Sequence, residues 1–182
     1  AGGRWTGNNT NRGQMITRLC MDCHRQETAG YPYGATVSAD GLTYKIALRK
    51  NVKFHNGRQM TADDIIWSYE RVMNAKTASP AARYVRIIKG AKDVEDGKAQ
   101  TMAGLKKIDD STLQITLENP VDLPYFLFQP GTAILPKDEV EKRGDGFSSD
   151  PVGCGPFQFV KWVKGSEVTV KKFPDYFVPN RP

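Results

Sequence analysis

Apolar residues recur along this chain at two spacings, and the switches between them mark out its elements. Leu42, Tyr44, Ile46 and Leu48 alternate with Thr43, Lys45 and Ala47 directly after an Ala39-Asp40-Gly41 turn, which predicts a half-buried strand. Ile65, Tyr69, Val72 and Met73 fall instead at i, i+4, i+7 and i+8, one face of a helix. Thr61 stands at its N-cap position, with Asp64 three residues on to complete a capping box and Asp63 beside it favoured by the helix dipole. That helix is expected to run to about Ala75, with Trp67 and Tyr69 packed in the core.

Pro80 predicts the first turn of a second helix, carrying Tyr84, Val85 and Ile88 inward before Gly90. The polar run from Asp93 to Gln100 reads as a surface connection. Leu113, Ile115 and Leu117 alternate with Thr112, Gln114 and Thr116, the clearest strand of the sequence, closed by Asn119 and Pro120. A mixed stretch from Leu123 to Leu135 is interrupted by Pro124 and Pro130, and a short charged helix is expected near Lys137 to Lys142. Two runs, Phe157 to Trp162 and Val168 to Lys171, flank Lys164-Gly165 and read as a β-hairpin. Upstream, residues 1–13 have the Gly, Asn and Thr content of a loop or arm. Ile16, Leu19, Cys20 and Cys23 then share one face of a short helix from Gln14 to about Arg25.

Composition narrows the class. Of the 182 residues, 39% are hydrophobic and 25% charged, the balance of a folded globular chain. No apolar run approaches the roughly 18 to 20 residues that cross a bilayer. The first residues carry neither the basic nor the apolar region of an export signal, so such a signal is expected to have been removed or to lie outside this sequence. The net charge of +6 comes from Lys and Arg interspersed with Asp and Glu. With no basic run and no interleaved aromatic patch, a nucleic-acid partner is not expected.

Ordered blocks of sequence carry a resemblance. Ser38-Ala39-Asp40-Gly41-Leu42-Thr43-Tyr44 leads into Leu48-Arg49-Lys50-Asn51-Val52-Lys53-Phe54-His55-Asn56-Gly57 and then Thr61-Ala62-Asp63-Asp64. Ile108 to Leu117, Pro151-Val152-Gly153-Cys154-Gly155-Pro156-Phe157 and Pro174-Asp175-Tyr176-Phe177 follow in order. Together they resemble the N-terminal part of the bacterial extracellular solute-binding proteins that serve dipeptide, oligopeptide and nickel uptake by ABC transporters. The resemblance implies an α/β fold of the type II periplasmic-binding-protein kind, one lobe plus part of the other, with a mixed sheet and flanking helices. It divides the chain into an N-terminal arm and short helix, 1–36, and a partial lobe, 37–182.

It also implies a periplasmic or extracytoplasmic location and a small peptide or metal ligand. The implied partner is an ABC permease or a periplasmic protein complex. Relatives are far longer, so either the sequence is a part of such a protein or the protein has lost its trap. The resemblance leaves the ligand-binding residues unassigned, because specificity lies largely in the portion beyond this chain. No catalytic residues are expected: Asp63 and Asp64 look like caps, and no Ser-His-Asp or Cys-His arrangement can be placed.

One motif stands apart. Cys20-Met21-Asp22-Cys23-His24 is a C-x-x-C-H pentad, in which both thiols can form thioethers to haem vinyl groups and His24 can bind the iron. The expected cofactor is haem c on Cys20, Cys23 and His24, with His24 the metal ligand. The distal ligand could then be His55, Met15, Met60 or a residue of another chain. The alternatives are a disulfide between Cys20 and Cys23, a redox dithiol, or reduced buried thiols. Zinc is disfavoured, because only His24 and His55 accompany three cysteines. A haem would suit a structural or electron-transfer subunit of a larger complex that has given up solute binding. Cys154, where relatives typically have Thr, is expected to serve as small buried packing.

Overall fold

The computed structural model describes residues 35–127 and 129–178. Its centre is a four-stranded antiparallel sheet in the order β1-β2-β4-β3: β1 (Ala35–Val37), β2 (Thr43–Ala47), β3 (Leu105–Asp109) and β4 (Thr112–Thr116). The Asp40-Gly41 turn joins β1 to β2. Gly41 sits at φ 72, in the left-handed region open to glycine, and the Asp40 carboxylate accepts the Leu42 N–H at 3.0 Å. Tyr44 lies opposite Ile115, and Ile46 opposite Leu113, so the inward residues of β2 and β4 stack on one face. All four are buried.

That face is covered by α1 (Ala62–Met73). Its expected stripe of Ile65, Tyr69, Val72 and Met73 is buried against the sheet residues in a single core cluster. Each such side chain taken fully from water contributes about 1.5–3 kcal/mol of transfer free energy. The Asp64 carboxylate accepts the Thr61 backbone N–H at 2.9 Å, the reciprocal bond of the predicted capping box. The start of α1 is also tied to the β3–β4 turn, where Ala62 N–H donates to the Asp110 carbonyl at 3.1 Å and Lys107 pairs with both Asp63 and Asp110. Trp67 departs from expectation. It is half-buried on the flank of α1, with the Arg71 guanidinium 6.0 Å from its ring centroid, because its position falls off the buried stripe.

Two short helices pack against α1: α2 (Ala82–Val85) and α3 (Ala91–Glu95). Val85 and Ile88 are buried as predicted, whereas Tyr84 is half-buried. Gly90 does not merely end a helix: at φ 78 it is the N-cap of α3. Part of the expected surface connection is therefore helical, and Val94 enters the core. The segment beyond folds back as β3, where Gly104, Lys89 and Thr116 exchange three backbone hydrogen bonds of 2.7 to 2.9 Å.

The stretch after β4 forms α4 (Leu123–Leu127) and a 3-10 turn at Pro130–Thr132. It is held to α1 by Ser68, whose hydroxyl donates to the Asp64 carbonyl at 2.6 Å and accepts the Leu135 N–H at 2.9 Å. The predicted charged helix is α5 (Lys137–Arg143). The predicted hairpin is also present as β5 (Phe157–Val163) and β6 (Glu167–Lys172), a separate two-stranded antiparallel sheet with Gly165 at φ 79 in its turn. Every strand pairing among the described residues is antiparallel, so any parallel pairing of the expected mixed sheet lies outside them.

Candidate functional site

The cofactor residues expected from the sequence, Cys20, Cys23 and His24, lie outside the described residues, as do Met15 and the helix predicted around them. Among the described residues, no three of His, Cys, Asp or Glu are gathered to hold a metal ion. The two described candidates for a distal iron ligand are otherwise engaged. Met60 is buried in the core, and both ring nitrogens of His55 are hydrogen-bonded.

His55 instead marks the place where the chain passes from the sheet-bearing lobe to the hairpin. It sits at the tip of the tight turn following Val52 and Phe54, two fully buried residues that anchor the turn. Its backbone N–H donates to the Gly153 carbonyl at 2.7 Å. The Gly153 N–H donates to Nδ1 at 3.3 Å, and Nε2–H donates to the Gly155 carbonyl at 2.9 Å. The ring is therefore neutral, with its proton on Nε2. Burial lowers its pKa from 6.5, opposed by the bond to Gly155.

The segment that returns after β6 is clasped by the same turn. Phe173 meets the His55 ring edge-on at 5.0 Å, and its N–H donates to the Pro156 carbonyl at 2.8 Å. Lys53 pairs with Asp175 at 2.8 Å, and the Arg49 guanidinium lies 5.0 Å from the Phe177 ring centroid. Gln158, at the root of β5, donates to the His55 carbonyl at 2.9 Å. Cys154, between the two glycines, is fully buried, the packing role expected of it.

Beside this junction lies an open depression of about 180 Å³, lined among others by His55, Asn56, Arg143, Asp150, Gln158 and Lys171. Its polar groups largely satisfy one another. Arg143 pairs with Glu139 at 2.7 Å and with Asp150, and Asn56 donates to Glu139 at 3.3 Å. These bonds hold α5 and the outgoing crossing in place rather than awaiting a ligand.

Asp63 and Asp64 are accounted for structurally. Asp63 is exposed and paired with Lys107 at 2.6 Å. Asp64 is only 4% exposed and is gripped by both terminal nitrogens of Arg58 at 2.7 and 3.0 Å. Arg58 also reaches Asp138 and lies 4.9 Å from the Phe54 ring centroid. Sequence reasoning passed over Arg58, and no local signal marks it, since Asp138 is 80 residues away along the chain.

An antiparallel sheet backed by helices, joined through two clasped crossings to the start of a second sheet, defines the class: one lobe and part of the next from a type II periplasmic-binding-protein fold. The substrate-binding domain of an oligopeptide ABC transporter from Bacillus anthracis superposes with a TM-score of 0.81 at 32% identity, covering 94% of this chain and 35% of that one. The chain is 34% identical over 146 residues to the periplasmic oligopeptide-binding protein OppA of Escherichia coli, covering 76% of this chain and 26% of OppA. It is 38% identical over 151 residues to a dipeptide-binding protein of Lactococcus lactis, covering 79% of this chain and 27% of that protein. The chain belongs to the bacterial extracellular solute-binding proteins, family 5, whose middle-region model matches residues 28–182. It spans about a quarter of the length of these curated relatives.

Proposed function

We propose that this chain is the sheet-bearing lobe, with the root of the second lobe, of an exported receptor that captures a small peptide or metal ligand and presents it to an ABC permease. The observation that carries the reading is the junction at His55. Both crossings between the two sheets are fastened to one turn of the first lobe, the construction a two-lobed receptor needs if its lobes are to close on a ligand by moving about fixed points. The named functions of the relatives, oligopeptide and dipeptide binding, support a peptide as the ligand class. The periplasmic naming of OppA supports a location outside the cytoplasm, and no helix among the described residues is long and apolar enough to cross a membrane.

Calorimetry of the intact protein with a mixed di- to pentapeptide pool, and separately with Ni²⁺, tests the proposal. Saturable heat with one of the two supports it, and no binding of either overturns it.

The Cys20-x-x-Cys23-His24 pentad favours a second reading, in which the lobe carries covalent haem c and serves electron transfer within a periplasmic complex. When bound, the haem would supply a one-electron centre, with His24 as its proximal ligand. Production with a cytochrome c maturation system, followed by intact mass and a pyridine haemochrome spectrum, decides it. A chain without added haem mass removes this reading and leaves the first untouched.

A further inference from the structure

The geometry points to a proton-sensitive latch: His55 fastens the outgoing crossing to the turn of the first lobe through both ring nitrogens, on Gly153 and Gly155, and only the neutral imidazole can make the bond to Gly153. This goes beyond the proposed receptor function and does not depend on which ligand is bound.

The argument rests on donors and acceptors. Nδ1 must be bare to accept the Gly153 N–H, and Nε2 must carry a proton to donate to the Gly155 carbonyl. Adding a second proton puts an N–H at Nδ1 directly against the Gly153 N–H, turning a bond into a contact between two donors. The bond from Nε2 survives, so protonation undoes one anchor and tilts the ring against Phe173, its edge-on neighbour at 5.0 Å.

The charges around the ring do not rescue the cation. Asp150, on the crossing, and Glu139, on α5, are both occupied by Arg143. On the ring's own turn, Lys53 is paired with Asp175 of the returning segment, and Arg58 with Asp64 and Asp138. Lys171, on β6, lines the same depression and adds positive charge. No carboxylate on these elements is left to stabilise an imidazolium.

Burial lowers the ring's pKa below 6.5, so the sign follows directly. The folded state binds fewer protons than the unfolded one as pH falls through this range. The latch is at full strength above about pH 6.5 and weakens as pH drops toward the lower folded value.

Amide hydrogen exchange of the full chain, followed residue by residue from pH 7.5 to 4.5 and corrected for intrinsic rates, tests this. The expected result is that Gly153 loses protection as pH falls from about 6.5 toward the ring's lower folded value, with a limiting slope of about tenfold per pH unit, and levels off below that value. Ile115, in the centre of the sheet, should stay protected over the same range. In the His55→Gln variant, which keeps a donor and an acceptor but cannot titrate, Gly153 protection should be flat with pH. The proposal is overturned if wild-type Gly153 protection is itself flat, or if Gly153 and Ile115 lose protection together, which would mean global acid unfolding. The wild-type comparison stands even if the variant does not fold.

Discussion

Asp64 serves three structures at once. It caps α1 through the Thr61 N–H, it neutralises Arg58, and through Arg58 it reaches Asp138 on α5. A carboxylate this deeply buried is tolerated only because its partners surround it. Replacing it with alanine removes the cap and leaves the guanidinium without its buried partner. We expect Asp64→Ala to cost about 2–3 kcal/mol, read as a lower urea midpoint with an unchanged slope. The exposed pair of Lys107 with Asp63 should behave differently. Asp63→Ala is expected to change stability by less than about 1 kcal/mol, because solvent screens the charges and flexible side chains lose entropy on pairing.

At the scale of elements, turns and close approaches set the register. Gly104 lies where β3 begins, and a Cβ there would stand 2.4 Å from the Thr116 carbonyl oxygen and 2.8 Å from the Lys89 nitrogen. Both are backbone atoms, bonded to each other at 2.9 Å, and the same two residues also bond the Gly104 carbonyl and N–H, so neither can yield cheaply. Gly104→Ala is expected to destabilise the protein by on the order of 3 kcal/mol and to displace the β3–β4 pairing, visible as lost amide protection at Leu105 and Thr116. Two strands escaped the sequence reading for related reasons. The three residues of β1 are too few to show a period of two. Strand β3, an edge strand whose residues after Leu105 are all exposed, has no alternation to show. Helix α3 was hidden too, because its five residues are mostly polar and only Val94 and Ala91 turn inward.

For the whole molecule, the question is how the hairpin is held to the sheet lobe. An isolated two-stranded hairpin is marginal in water, and β5–β6 leaves Val160 and Val163 substantially exposed. Its attachment runs through Phe173, Gln158 and the His55 turn. Phe173→Ala is therefore expected to cost about 3 kcal/mol locally, with Val168 and Val170 losing exchange protection well before Ile115 does. Uniform loss across both sheets would show instead that hairpin and lobe unfold as one unit.

The amino-acid order by itself determined the capped helix, the two inner strands, the charged helix and the hairpin, together with the blocks that placed the chain in its family. Each of these depends on a local rule: alternation, helical spacing, an N-cap, a glycine turn. The candidate site was legible only as residues. His55 and Gly153 to Gly155 stood in the resembling blocks, but nothing near His55 in sequence says that both its nitrogens are used, or that Phe173 closes over it. The Arg58 clasp and the half-exposure of Trp67 were equally invisible. These features were decided by tertiary structure, because a side chain's solvent, charge and hydrogen-bond partners come from segments about a hundred residues away, brought together only when the core closes.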